Sequence, residues 1–213
     1  MKFKNRIEAG QLLADLLERH DVAADIILAI PRGGVIIGSI LSRALNIPLD
    51  IWLCKKVGHP EYTEFAIGSV CADGTIIQNE LLDPATQSYF DRNASQLQSW
   101  LQKRLIQLTG KNQAAEISQK NILLVDDGIA TGSTMLAAIQ SLRNYNTKNI
   151  YVATPLASTD AAERIKNSTD GFYCLNTADD FLAVGEFYES FEPVTDDQAQ
   201  IYLRLTANKT ILL

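Results

Sequence analysis

Two adjacent carboxylates, Asp126 and Asp127, stand at the end of the apolar run Ile122-Leu123-Leu124-Val125. Gly128-Ile129-Ala130-Thr131-Gly132-Ser133-Thr134 follows at once, and then a helical pattern opens at Met135. An apolar run of this kind suits a strand buried on both faces. A glycine-rich, hydroxyl-rich turn between a strand and a helix start makes an anion site, because its backbone N–H groups and the helix dipole face the same point. Thr131, Ser133 and Thr134 each add a hydroxyl donor. The two acids must serve something other than the anion, and sugar hydroxyls, a metal ion or both would suit them. Hydroxyls at a helix start also serve as plain caps, so Ser133 and Thr134 alone suit a junction without a ligand. The acid pair tips the reading toward a ligand, since like charges side by side repel. No lysine follows Gly132, which excludes a Walker loop, and G-x-G-x-x-G spacing is absent from the chain, which excludes the dinucleotide fingerprint.

Three further groups carry potential chemistry. Pro31-Arg32-Gly33-Gly34 combines a planar cation suited to phosphate oxygens with two glycines that allow tight turning and N–H donation. Lys55-Lys56-Val57-Gly58 is a paired cation that equally suits a solvated surface. Phe181 to Tyr188 is an aromatic segment that could stack on a flat heterocycle or pack as core. His59 lies in a polar stretch and fits an exposed loop histidine better than a proton shuttle; His20 ends a helix. No His, Cys and carboxylate cluster has the spacing of a structural metal site.

The elements that must position these groups alternate. Arg6 to Arg19 is an amphipathic helix, Asp25 to Ile30 a strand, Val35 to Leu45 a helix and Leu49 to Cys54 a strand. Lys55 to Glu64 reads as a loop. Phe65 to Cys71 and Thr75 to Ile77 read as strands joined at Asp73-Gly74, a hairpin signal. Pro84 to Leu108 has helix character, with Pro84 in the first turn. Strands at Ile122 to Val125, Asn149 to Thr154 and Phe172 to Leu175 alternate with helices at Ser133 to Tyr145 and Thr159 to Lys166. The stretch 178–191 reads as irregular. Thr195 caps a last helix running to Leu205. This order predicts an α/β protein with a mostly parallel sheet flanked by helices, mixed where the hairpin joins, in one domain spanning 1–213. Ligands of such sheets sit at the carboxyl ends of the strands, where the turns after Ile30, Cys54 and Val125 converge.

The formal net charge of −6 disfavours a nucleic-acid surface. The three cysteines, an odd number without C-x-x-C spacing, argue against a disulfide framework. No apolar run approaches bilayer length, and no apolar segment follows the first charges, so no signal peptide is expected. No membrane partner and a cytoplasmic location are the expectation.

Val125 to Thr134 resembles the signature of the type I phosphoribosyltransferases, the enzymes that use phosphoribosyl pyrophosphate. The likeness extends to Arg6-Ile7-Glu8-Ala9-Gly10, the Pro31 turn, Lys56 with Gly58, Glu64 to Gly68 and the C-terminal aromatic segment, most closely as in an uncharacterised bacterial branch. The resemblance implies that Asp126 and Asp127 hold the ribose hydroxyls, and that Gly128, Ile129, Ala130, Thr131, Gly132, Ser133 and Thr134 cradle the 5-phosphate. It implies that Arg32, Gly33, Gly34, Lys55 and Lys56 bind the pyrophosphate, with a cis peptide beside Arg32 and a mobile loop after the lysines. It makes 178–192 a small hood over the acceptor. Asp126, Asp127, Arg32 and Lys56 would carry catalysis, with Mg²⁺ held mainly by substrate oxygens and water. The partners implied are phosphoribosyl pyrophosphate and a nitrogen acceptor, and the reading leaves room for a homodimer. Ala130 stands where the hypoxanthine–guanine enzymes carry an acid, and Ile150 to Thr154 lacks their lysine, which disfavours that acceptor. The alternatives are a regulator that senses the same ligand without catalysis and, more weakly, a phosphohydrolase or nucleoside phosphorylase.

Overall fold

A strand with apolar side chains at every position is stable only between two layers. In the computed structural model, which describes residues 2–62, 66–78, 82–112 and 115–207, β1 (Ile26–Ala29) and β6 (Asn121–Val125) are of this kind. Ile27, Ala29, Leu123 and Val125 enter one core; Ile26, Leu28, Ile122 and Leu124 enter the other. β2 (Leu49–Ile51), β7 (Asn149–Ser158) and β8 (Gly171–Ala178) complete a five-stranded sheet in the order β2-β1-β6-β7-β8. All its pairings are parallel. Its register sets Ala29, Val125 and Ala153 level with one another. The turns that follow β1 and β6 therefore leave the sheet at the same height.

Helices α1 (Arg6–Arg19), α2 (Gly33–Leu45), α3 (Pro84–Thr109) and α6 (Asp196–Ala207) cover one face. Helices α4 (Ser133–Arg143) and α5 (Thr159–Lys166) cover the other. Asn5 caps α1 by accepting from Ile7 and Glu8 N–H, and Asp83 caps α3 in the same way, with Pro84 in its first turn. Thr195 Oγ1 accepts from Gln198 N–H at 3.2 Å while Gln198 Oε1 accepts from Thr195 N–H at 2.9 Å, a capping box at the predicted position.

The expected mixed sheet is two sheets. The predicted strand Leu49 to Cys54 breaks at Trp52-Leu53, and the predicted loop at Lys55 begins instead as β3 (Cys54–Gly58). β3 pairs antiparallel with β4 (Ala66–Cys71), which pairs antiparallel with β5 (Ile76–Gln78). Trp52 accounts for the break. Its buried indole Nε1–H donates to Ser141 Oγ on α4 at 2.8 Å and its ring meets Tyr145 edge-on, so the chain turns under α4. The Asp73-Gly74 turn forms as expected, with Gly74 at φ 97°. Glu64 and Phe65 lie outside the described residues.

The segment 178–192 is less irregular than its sequence suggests. β8 continues to Ala178, and Val184–Phe187 is a short 3-10 turn. The segment is sewn to the start of the chain: Phe3 N–H donates to Phe187 O at 2.9 Å, and Glu189 N–H donates to Phe3 O at 2.8 Å. No helix among the described residues is long and apolar enough to cross a membrane.

Leu123 is fully buried in the central strand. Leu123→Ala should lower stability by about 2–5 kcal/mol, read as a shifted urea midpoint.

Candidate active site

The level ends of β1 and β6 bring the Pro31 turn against the acid pair. A Cβ on Gly33 would collide with the Asp127 carboxylate, and one on Gly34 would stand 2.8 Å from Val125 O and 3.0 Å from Asp126 Cα. These glycines answer a close approach of two turns, rather than the need for an unusual backbone angle. Gly132 is the contrasting case, at φ 72° immediately before α4. The Pro31–Arg32 peptide is cis, where the resemblance places one.

The glycine- and hydroxyl-rich turn after the acid pair is anchored from behind. Ile129 N–H donates to Leu156 O and Ser158 N–H donates to Ile129 O, both at 2.9 Å. Ser158 Oγ–H donates to Ala130 O at 2.6 Å, and Arg164 on α5 donates to Thr131 O at 3.3 Å. Thr131 Oγ1–H donates to Ser133 Oγ at 3.2 Å. α2 and α4, which open on this region, have no side-chain cap, whereas α1, α3 and α5 are capped by Asn5, Asp83 and Ser158. An anion at these two helix starts would supply what the side chains do not.

The acids are held unequally. Arg6 Nε–H donates to Asp127 Oδ2 at 2.7 Å, and Arg6 is nearly buried. Tyr188 O–H donates to the Asp127 carbonyl at 2.7 Å. Asp126 Oδ1 accepts from Asp127 N–H at 2.8 Å. Burial, and then the charge of Asp127, push the Asp126 carboxyl well above its ordinary value of 3.8. Burial likewise raises the Tyr188 phenol, which keeps it protonated as a donor.

The cations are also separated. Arg32 donates to Asp196 Oδ1 at 3.4 Å, and Asp196 is shared with Arg104 of α3 and with Gln107, whose Nε2–H donates at 3.0 Å. Arg104, and less so Arg32, hold the Asp196 carboxyl below its ordinary value. The Lys55 ammonium lies 4.8 Å from the centre of the Trp100 ring on α3. Side chains alternate along a strand, so Lys56 shares the face of Cys54, whose thiol reaches Ala137 O of α4 at 3.6 Å. His59 accepts from Glu61 N–H through Nδ1 at 3.1 Å, a local turn contact.

In the hood, Val184 packs where a side chain on Gly128 would stand. Phe181 stacks on Phe187 with centroids 4.9 Å apart, and Leu182 is 87% exposed. Arg6 was expected only as part of the resemblance and Tyr188 only as part of the aromatic segment, while Asp196, Arg104 and Arg164 were not expected at the site; the contacts of all five come from distant elements, so their signal is not local.

The profile of the phosphoribosyl transferase domain family matches residues 4–191, most of the chain and all of the acid pair and its turn, and the chain belongs to that family. Among solved structures it is similar to TT1426 from Thermus thermophilus, at 35% identity and a TM-score of 0.83, covering 95% of this chain and 98% of that one. Among curated proteins it is 31% identical over 208 residues to a Mycobacterium tuberculosis protein provisionally named a phosphoribosyl transferase, covering 94% of this chain and 46% of that protein. The chain thus spans about half the length of the curated relatives it matches. A hypothetical protein of Neisseria gonorrhoeae, solved with bound ppGpp, shares the fold at 16% identity and a TM-score of 0.50, with 96% of this chain and 97% of that one covered.

Asp126 is taken from water in the folded state, so the native protein binds more protons than the unfolded chain above pH 3.8, and its contribution to stability falls as pH rises from that value toward the raised one. Asp126→Asn should therefore raise the melting temperature at about pH 7, and the gain should vanish below about pH 4, where both states are protonated. Scanning calorimetry at the two pH values checks this.

Proposed function

We propose that this protein transfers the 5-phosphoribosyl group of phosphoribosyl pyrophosphate to a nitrogen nucleophile and releases pyrophosphate. The observation that carries the proposal is the packing of the Pro31 turn directly onto the acid pair. A sugar hydroxyl held by Asp127 and a pyrophosphate held by the Arg32 turn would then be neighbours, as they are on C2 and C1 of one ribose.

In this reading the N–H groups and hydroxyls from Ile129 to Thr134 bind the 5-phosphate. Asp126 and Asp127 accept from the ribose hydroxyls and favour the positive charge that develops on the ring as the C1–O bond breaks. Arg32 and Lys56 stabilise the departing pyrophosphate; Lys55 supports the strand through Trp100. With one of the two acids already paired with Arg6, the site fits a Mg²⁺ ion held mainly by substrate oxygens and water. When bound it would offset pyrophosphate charge. The nucleophile would arrive under the hood, beside Phe181, Leu182 and Val184, whose apolar surface suits a flat heterocycle. Ala130 and the lysine-free β7 point away from hypoxanthine and guanine.

Calorimetric titration with phosphoribosyl pyrophosphate and Mg²⁺, then a pyrophosphate-release screen over nucleobases, tests the proposal. Binding with release for one base supports it. Binding without release for any base would favour a sensor, and absence of binding would overturn the ribose-phosphate reading. Asp127→Asn should keep the fold by circular dichroism and lower turnover at least about a hundredfold, the scale of a lost charge-stabilising contact. Lys56→Ala should weaken pyrophosphate binding about tenfold, while Lys55→Ala should change it less than about twofold in the same titration.

A further inference from the structure

Arg6 is the first residue of α1, yet its side chain turns inward rather than toward solvent. Three contacts fix it. Nε–H donates to Asp127 Oδ2 at 2.7 Å, one terminal N–H donates to the Glu192 carbonyl at 2.9 Å, and the guanidinium carbon lies 3.7 Å from the centre of the Phe191 ring. Phe191 is itself stacked on Tyr188, centroids 4.9 Å apart, and Tyr188 O–H bonds the Asp127 carbonyl. Side chain and backbone of Asp127 are thus gripped from the same cluster. Such a grip exceeds what a helix terminus needs, since Asn5 already caps α1.

We propose that Arg6 is the positioning residue of the ribose site, holding the Asp127 carboxylate in one orientation through a guanidinium that is itself fixed by Phe191 and the Glu192 carbonyl. The inference rests on Asp127 being a ribose ligand. The Arg6 bond takes Oδ2, and Oδ1 is left to accept from a sugar hydroxyl. The titratable and charged groups facing Asp127 are Asp126 from its own turn, Arg6 from α1 and Tyr188 from the hood. Arg32, from the neighbouring turn, is engaged with Asp196. A planar fork suits this position because it serves Asp127 and the Glu192 carbonyl together while lying flat on Phe191.

Two variants and two readouts test this. Calorimetry gives the affinity for phosphoribosyl pyrophosphate with Mg²⁺ and, separately, for pyrophosphate with Mg²⁺, which carries no ribose. In Arg6→Met the affinity for phosphoribosyl pyrophosphate should fall at least about tenfold while that for pyrophosphate stays within about twofold. In Arg6→Lys the affinity for phosphoribosyl pyrophosphate should still fall about threefold or more, because an ammonium cannot reach both Asp127 and the Glu192 carbonyl and lie on the ring. A merely structural Arg6 would change both affinities together or neither. Unaltered affinity for phosphoribosyl pyrophosphate in Arg6→Met, or an equal loss for both ligands, overturns the inference. Should that variant fail to fold, wild-type affinity in Arg6→Lys overturns it alone. Failure of the unaltered protein to bind overturns the ribose reading itself, and with it the role of Arg6; that outcome is visible before any variant is made.

Discussion

Two carboxylates side by side at the end of a strand buried on both faces create an electrostatic problem. Burial disfavours the charge on each, and each charge disfavours the other. The surroundings answer with Arg6 against Asp127, a backbone N–H on Asp126 and a tyrosine hydroxyl on the intervening backbone. Each answer comes from a different part of the molecule. The start of α1, the acid turn and the hood must all arrive for the pair to be tolerated. The placement of these elements can be read as the support that an intrinsically unfavourable site demands, with local instability kept where function needs it.

The second constraint is closeness. Gly33 and Gly34 permit the Pro31 turn to lie on the acid pair, and Gly128 admits Val184 of the hood. The parallel register that levels Ala29 with Val125 brings those turns to the same height. Sheet geometry and three missing side chains thus bring the Pro31 turn onto the two acids and Val184 onto the turn that follows them. Asp196 adds a cross-brace, since one carboxylate joins the Arg32 turn to Arg104 on α3.

Much of this was legible in the sequence because it is local. The apolar run, acid pair and hydroxyl turn are contiguous, so their strand, turn and helix start follow from composition and order. The hairpin at Asp73-Gly74, the first-turn proline Pro84 and the cap at Thr195 were readable for the same reason. Other features depend on phase or distance. Lys55 and Lys56 look alike in sequence, and their separation depends on where β3 begins, which Trp52 decides through a contact with Ser141 on α4. The mixed-sheet expectation failed on the same residue. Gly33 is legible as a permissive position, but the reason for it is the neighbouring carboxylate. Arg6 carries no local sign of its partner, which lies 121 positions away.

The stitching of Phe3 to Phe187 and Glu189 also bears on the order of events during synthesis. A chain emerging from the ribosome can form β1, α2, β6 and α4 from what has already been made. The clamp on Asp127 cannot close until Tyr188, Phe191 and Glu192 exist, and the Arg6–Glu192 bond spans 186 positions. Contacts of such long sequence separation form late, because loop closure must precede them. Once made, the acid pair must therefore wait for the residues up to Glu192 before the cluster around Arg6 can close on it. The clamp on Asp127 is thus a late product of folding, drawn from residues far apart in sequence.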